Sequence, residues 1–490
     1  MSSLDPRLSA RLGELVDLGH AGQVLAWDQQ VMMPGAGAPA RSEALATISR
    51  LHHDRLVAPE LGALLDAAAA DEPQIARVVR RDREVARRVP AELAAEMARA
   101  GSEGFEIWIK AREANDYETF EPALRRNVEL VRRYSECFPE AEHPYDPLLD
   151  RYEPGTTSAQ VTALFVRLRE GLVPLLSQIA MQPELARPPF AGEFPVAAQR
   201  EIGLEIVQSM GFHADAWRLD DAVHPFAASP ARTDVRVTSR FDDQSLTGLF
   251  ALMHEVGHGL YEYGIDPALE RTTLCSGVSL GVHESQSRLW ENLVGRSPQF
   301  WTHWLPRMRD RFPLTLRDVD VDAFIRAINV VRPTLIRVEA DEVTYSLHVI
   351  LRYELELALV DGSLDAADLP AAWAAKMKQF LGVDVPDDLQ GVLQDIHWSE
   401  GIIGYFPTYA IGNVLAAQLW RAAHADIPEL DDEIRNGRLS ALRVWLREKI
   451  HRHGRLLTPL ELVEQAVGGP LDPAPMLEHL RAKYGELYDL

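Results

Sequence analysis

Apolar residues along this chain recur at three- and four-residue spacing far more often than they alternate, and that spacing predicts helices. Leu61-Gly-Ala-Leu-Leu-Asp-Ala-Ala-Ala-Ala and Ala91-Glu-Leu-Ala-Ala-Glu-Met-Ala-Arg-Ala carry the pattern in the N-terminal part. Thr157-Ser158 is a capping signal for a helix through Val161, Leu164, Phe165 and Leu168. A longer pattern runs from about Thr334 to Val360 behind Pro333. Proline costs little at a helix start, where its missing N–H would have no intrahelical partner. Alternation is scarce. Thr233-Asp-Val-Arg-Val-Thr-Ser is the clear strand, with Val235 and Val237 on one face, and Leu274-Cys-Ser-Gly-Val-Ser-Leu is a weaker second. The proline-rich stretch from Met181 to Pro195 reads as a loop. With no repeat, low-complexity segment or composition shift, residues 1–490 are expected to form one mainly helical domain with a small β element near its middle.

Composition adds exclusions. Fifty Lys and Arg against 73 Asp and Glu give a formal charge of −23, which argues against nucleic acid and against a polybasic membrane patch. No run of 18 apolar residues predicts a membrane span, and the first thirty residues lack the apolar core of a secretory signal. The expected location is cytoplasmic. Cys137 and Cys275 are too few for a disulfide framework or a thiolate metal site, so any bound metal must use His and carboxylate.

Residues 254–258 read His-Glu-Val-Gly-His. Two His four apart project from one helix face and can reach one ion, while Glu255 is turned toward a water. Leu246, Leu249, Phe250, Met253, Gly257, Leu260 and Tyr261 form an apolar stripe on the same helix. Asp242, Asp243 or Ser245 are its candidate caps, and Gly264 its stop. A catalytic zinc needs a third protein ligand and an open position. The extended three-histidine motif fails, because Tyr261 and Gly264 stand where glycine and histidine are required. A second helix over Gly281–Asn292 offers His283, Glu284 and Glu291. Glu284 and Glu291 lie seven apart on one face, so spacing does not choose between them, and Glu284 reads equally well as a surface partner of Arg288.

Several segments together resemble the carboxypeptidase Taq family of zinc metallocarboxypeptidases. They are Trp27-Asp-Gln with Met33-Pro, His143-Pro-Tyr-Asp-Pro-Leu-Leu-Asp-Arg-Tyr-Glu-Pro-Gly, Asp234-Val-Arg-Val-Thr and the His254 motif. Further along come His283-Glu-Ser-Gln-Ser, Ile336-Arg-Val-Glu-Ala-Asp, Gly391-Val-Leu-Gln-Asp-Ile-His-Trp and Tyr405-Phe-Pro-Thr-Tyr. The resemblance implies a mainly α, neurolysin-like fold with a deep central groove and a small sheet beside the metal helix, often as a homodimer. A helical part over about 1–200 would cover the groove and a catalytic part would span about 201–490. It also implies broad release of single amino acids from peptide C-termini, poor at terminal proline, and it makes Glu284 the third ligand beside His254 and His258.

The chemistry of such an enzyme assigns the remaining candidates. Arginine suits a terminal carboxylate because its planar guanidinium bonds both oxygens. Arg236, oriented by Asp234 on the same strand, is the expected anchor. Arg337, expected in a helix with Glu339 and Asp341, is a second contact. Glu255 is the general base. Tyr409 and His397 are donors to the oxyanion, with Tyr405 and His224 as further substrate contacts. Zinc is the expected metal, with cobalt or another divalent ion as alternatives. The competing readings are a zinc endopeptidase or dipeptidyl carboxypeptidase of the same fold, or a peptide-binding protein without activity.

Overall fold

The computed structural model describes residues 4–185, 190 and 192–490, and it is mainly helical. The N-terminal part contributes α1 (Pro6–Val31), α2 (Pro59–Ala68), α3 (Ala91–Ala114) and α4 (Ser158–Ala180). Thr157 caps α4 through a reciprocal pairing with Gln160, as its sequence signal predicts. Leu8 and Leu12 of α1 and Leu61 and Leu65 of α2 bury against Ile265, Leu269 and Leu274, so this part closes over the segment after the metal helix. A second core gathers Phe120, Phe165, Tyr353 and Trp373. A third packs Val235, Val237, Leu252, Met253, Trp290 and Trp301 around the His254 motif.

The sheet has three strands, β1 (Trp217–Asp221), β2 (Ala227–Ala231) and β3 (Asp234–Ser239), in the order β1-β3-β2. β1 runs parallel to β3, with Arg218 opposite Arg236, and β2 runs antiparallel to it. Only β3 was legible. β1 is short and ends in two acids, and β2 holds Pro230, which a sheet tolerates on an edge. Val235 and Val237 turn into the core with the metal helix, so alternation sends Asp234 and Arg236 to the other face.

Some of these expectations change. The metal helix, α5 (Thr247–Gly264), has Leu246 at its cap with no side-chain cap bond. Asp242 instead accepts from Gln244 N–H and bridges Ser245. Leu274–Leu280 is not a strand: Val278 N–H donates to the Tyr261 hydroxyl and Gly277 N–H to Glu262, which removes them from any ladder. The segment leads into α6 (Leu280–Arg288), which continues as a π-helical turn over Leu289–Val294. The helix expected from about Thr334 begins at Tyr345 (α7, Tyr345–Asp361). There Asp341 accepts the N–H groups of Arg332, Val343 and Thr344, a local turn that outcompetes the helix. Of the Met181–Pro195 stretch, residues 186–189 and 191 lie outside the described residues, and the rest carries no helix or strand.

Candidate metal centre

His254 and His258 project from one face of α5 toward Glu284 on α6. Glu284 Oε2 lies 3.7 Å from His254 Nε2 and 3.6 Å from His258 Nε2, and one donor atom from each residue falls within 4.8 Å of the others. A tetrahedral ion with bonds of about 2.0–2.1 Å separates its donors by roughly 3.3 Å. The donor set and spacing therefore fit a divalent ion.

The atoms that face away from this point are all engaged. His254 Nδ1–H donates to Glu291 Oε2 at 2.8 Å. His258 Nδ1 meets His283 Nδ1 at 3.2 Å, and His283 Nε2 meets Glu262 Oε1 at 2.7 Å. Since Glu262 only accepts, His283 donates from Nε2 and accepts at Nδ1, and His258 donates from Nδ1. Both ligand imidazoles thus keep Nε2 as a bare lone pair, the arrangement that orienting partners impose at metal centres. Arg288 Nε holds Glu284 Oε1 at 2.7 Å, leaving Oε2 to the imidazoles. The Glu284–Arg288 pair anticipated as a surface feature is therefore present, but Glu284 is buried.

The tie between Glu284 and Glu291 is broken by the π turn, which begins at Leu289 and changes the angular step between them. Glu284 faces Nε2 of both imidazoles; Glu291 reaches behind His254. Arg288 and the His254 N–H outweigh the burial of Glu291 and hold its carboxyl down at about 2. Burial pushes Glu255 up to about 7, and it lies close enough to His254 and Glu284 to feel both charges. The helices meet at backbone distance. A Cβ on Gly257 would stand 2.7 Å from Ser287 Cα on α6, and one on Gly412 would stand 2.5 Å from Glu284 Cβ. Gly412 lies in α8 (Pro407–Asp426), so α8 presses directly on the third donor residue.

Helix α8 opens with Tyr409 in its first turn, and Tyr405 lies just before it. Both rings sense the charge of Glu284, and burial raises both hydroxyls well above the ordinary tyrosine range. His397 Nε2 lies 3.3 Å from the Tyr409 hydroxyl, and burial lowers its imidazole to about 4, so it is neutral near pH 7. Arg337 is not in the expected helix with Glu339 and Asp341. It sits in a 3₁₀ turn, 6% exposed, with Nε and Nη2 on Asp395 Oδ1 at 3.0 and 2.8 Å and Nη1 on the Tyr345 hydroxyl at 3.0 Å. Its guanidinium lies 5.0 Å from the Tyr409 ring centre. Arg352 binds the other Asp395 oxygen at 2.6 Å.

Arg236 belongs to a different neighbourhood. Asp234 grips it at 2.9 and 2.8 Å, and its guanidinium stacks 4.4 Å from the Trp27 ring centre, which also lies 4.6 Å from the Arg218 guanidinium. Among the described residues no hydrogen bond or ring contact joins Arg236 to the His254 cluster. His224 is exposed in the turn between β1 and β2. Sequence reasoning missed Glu262, Tyr345 and the partnership of Asp395 with two arginines. Glu262 had a signal, standing four residues after His258 on the same helix face.

A paired-histidine helix, a carboxylate from the following helix and a buried glutamate beside them define a metallopeptidase centre. The chain belongs to the carboxypeptidase Taq (M32) metallopeptidase family, whose sequence pattern matches residues 7–484. It is 41% identical to the thermostable carboxypeptidase 1 of Thermus thermophilus, with 97% of each chain covered. It is 36% identical to that of Pyrococcus furiosus, with 98% of each covered. The fold superposes on the crystal structure of the M32 carboxypeptidase from Deinococcus radiodurans with a TM-score of 0.96, 40% identity and 99% of each chain covered. The chain is accordingly a metal-dependent carboxypeptidase, as the sequence resemblance implies.

Proposed function

We propose that this carboxypeptidase uses zinc to release single amino acids from peptide C-termini with broad side-chain preference. The observation that carries the reading is the convergence of His254 Nε2, His258 Nε2 and Glu284 Oε2, with Glu255 buried at the same point. Held by these donors, the ion supplies Lewis-acid polarisation of the scissile carbonyl and acidifies water; cobalt or another divalent ion would suit the same donors. Glu255 takes the proton of the attacking water and delivers it to the leaving amine. Tyr409 donates its O–H to the developing oxyanion. Neutral His397, donating Nε2–H to the Tyr409 oxygen, leaves that O–H free to do so, and Tyr405, hydrogen-bonded to Tyr409, orients it.

Arg337 is the better-supported anchor for the terminal carboxylate, because it packs 5.0 Å from the Tyr409 ring centre and bonds the Tyr345 hydroxyl, and the Tyr345 ring centre lies 4.4 Å from the guanidinium of Arg288, which holds Glu284. Arg236, oriented by Asp234, is the outer of the two cations, with His224 in the neighbouring turn. In this reading the parts over about 1–200 and 201–490 act as one unit, and the protein is a cytoplasmic homodimer, which gel filtration and cell fractionation check.

Mass spectrometry of a defined peptide is the test. The expected result is a ladder losing one C-terminal residue at a time, abolished by chelator and strongly slowed by C-terminal amidation. Internal cuts or released dipeptides would instead establish an endopeptidase or a dipeptidyl carboxypeptidase. Glu255→Gln should keep its zinc and lose roughly 10²–10⁴-fold in kcat; wild-type turnover by that variant would sink the assignment.

A further inference from the structure

Helix α6 carries Glu284, yet its first turn is held from the other part of the chain. The opening N–H groups of a helix have no intrahelical acceptor. Here Leu280 N–H donates to the Tyr152 carbonyl at 3.0 Å, Gly281 N–H to Glu153 Oε1, and Val282 N–H to the cap residue's Ser279 Oγ at 3.2 Å. The Ser279 hydroxyl is itself hydrogen-bonded to Glu153.

Glu153 is 3% exposed, and no cation pairs with it among the described residues. A buried carboxyl without a counter-ion is costly unless its acceptors are used, and the start of α6 uses them. The fit is tight. A Cβ on Gly281 would stand 2.8 Å from Glu153 Oε1 and 2.7 Å from Ile411 of α8, so the first turn is wedged between them. The 152–153 segment is fixed in turn, with both N–H groups on the Leu149 carbonyl at 2.9 and 2.8 Å. On its other side the Tyr152 ring meets Tyr405 edge-on, 5.1 Å between centres.

We propose that Glu153 is a positioning residue for the metal centre: its grip on the first turn of α6 sets where Glu284 Oε2 stands against the two imidazoles. Through Tyr152 the same loop fixes Tyr405, so ligand geometry and the tyrosine pair share one support. The proposal rests on the reading of Glu284 as a ligand.

The full-length Glu153→Ala and Glu153→Gln variants are tested for Zn²⁺ affinity by competition with a chromophoric chelator, and for kcat and KM on a short peptide. Removing partners of this kind weakens metal binding about 10–100-fold. Glu153→Ala should fall in that range and lose kcat, with KM within about twofold, and Glu153→Gln, which keeps the acceptor for Gly281, should recover most of both. A merely structural role would lower Tm alone; wild-type zinc affinity and kcat in Glu153→Ala overturn the proposal. If that variant does not fold, Glu153→Asp carries the measurement, with several-fold weaker binding expected and unchanged binding counting against it. Glu284→Ala separates the two ideas. Retained zinc affinity there defeats the ligand reading itself, whereas its loss beside an unaffected Glu153→Ala defeats only the role of Glu153.

Discussion

Arg236 and Arg337 each place a guanidinium against a carboxylate and an aromatic ring, but in very different surroundings. Arg236 is half-buried on β3, held by Asp234, itself partly exposed, and laid over Trp27. Arg337 is buried, shares Asp395 with the fully buried Arg352, and touches Tyr345. The first pair can exchange its partner for water at little cost, whereas the second is pre-organised by neighbours that have no alternative. A terminal carboxylate gains more from the second kind of cation, since its orientation is settled before the peptide arrives. Strand position and proximity in sequence to the metal helix favoured Arg236; burial and the link through Tyr409 favour Arg337.

The largest way to break this contrast is Asp395→Asn. Removing the shared counter-ion leaves two buried guanidinium groups uncompensated, which costs about 3–5 kcal/mol, read as a lower denaturation midpoint near pH 7. Arg337 and Arg352 hold the Asp395 carboxyl below the usual range despite its burial. A depressed carboxylate contributes stability that is present above its unfolded value, about 3.9, and is lost as pH falls below it. Wild-type stability should therefore drop in that acid window, and Asp395→Asn should lack this drop. An identical acid limb in both proteins would show that the pair does not behave as a coupled buried unit.

Arg337→Ala comes next. It should lower kcat/KM on free-carboxylate peptides roughly a hundredfold, with a much smaller loss on amidated ones in a sensitive assay. Equal losses on both substrates would remove Arg337 from carboxylate recognition and return Arg236 to the leading place. Arg236→Ala should be the mildest, at most about fivefold in kcat/KM, in keeping with an ion pair whose acid is partly open to water and so worth about 1 kcal/mol at most. A loss there exceeding that of Arg337→Ala reverses the comparison.

How much was legible follows from where the partners come from. The two histidines and Glu255 lie within one helical turn and a half, so spacing exposed them; strict alternation located β3, and a capping signal located the start of α4. Glu284 and Glu291 could not be told apart by period, because a π turn intervenes and helical arithmetic assumes a constant step. Arg337 was expected in a helix with Glu339 and Asp341 because its actual acid, Asp395, lies 58 residues away in sequence. The turn at Asp341 overrode a helical pattern through side-chain acceptance, which no apolar spacing registers. The weak strands β1 and β2 are held by pairing with β3 rather than by their own propensity.

Gly257 and Gly412 bring α5, α6 and α8 to backbone contact around the donors. Packing of that closeness leaves no layer of side chains that could loosen by stages, so the three helices should open together or not at all. The amide hydrogens nearest Glu284 and His258 would then be among the slowest in the protein to exchange with solvent, with exchange governed by global unfolding rather than by local breathing.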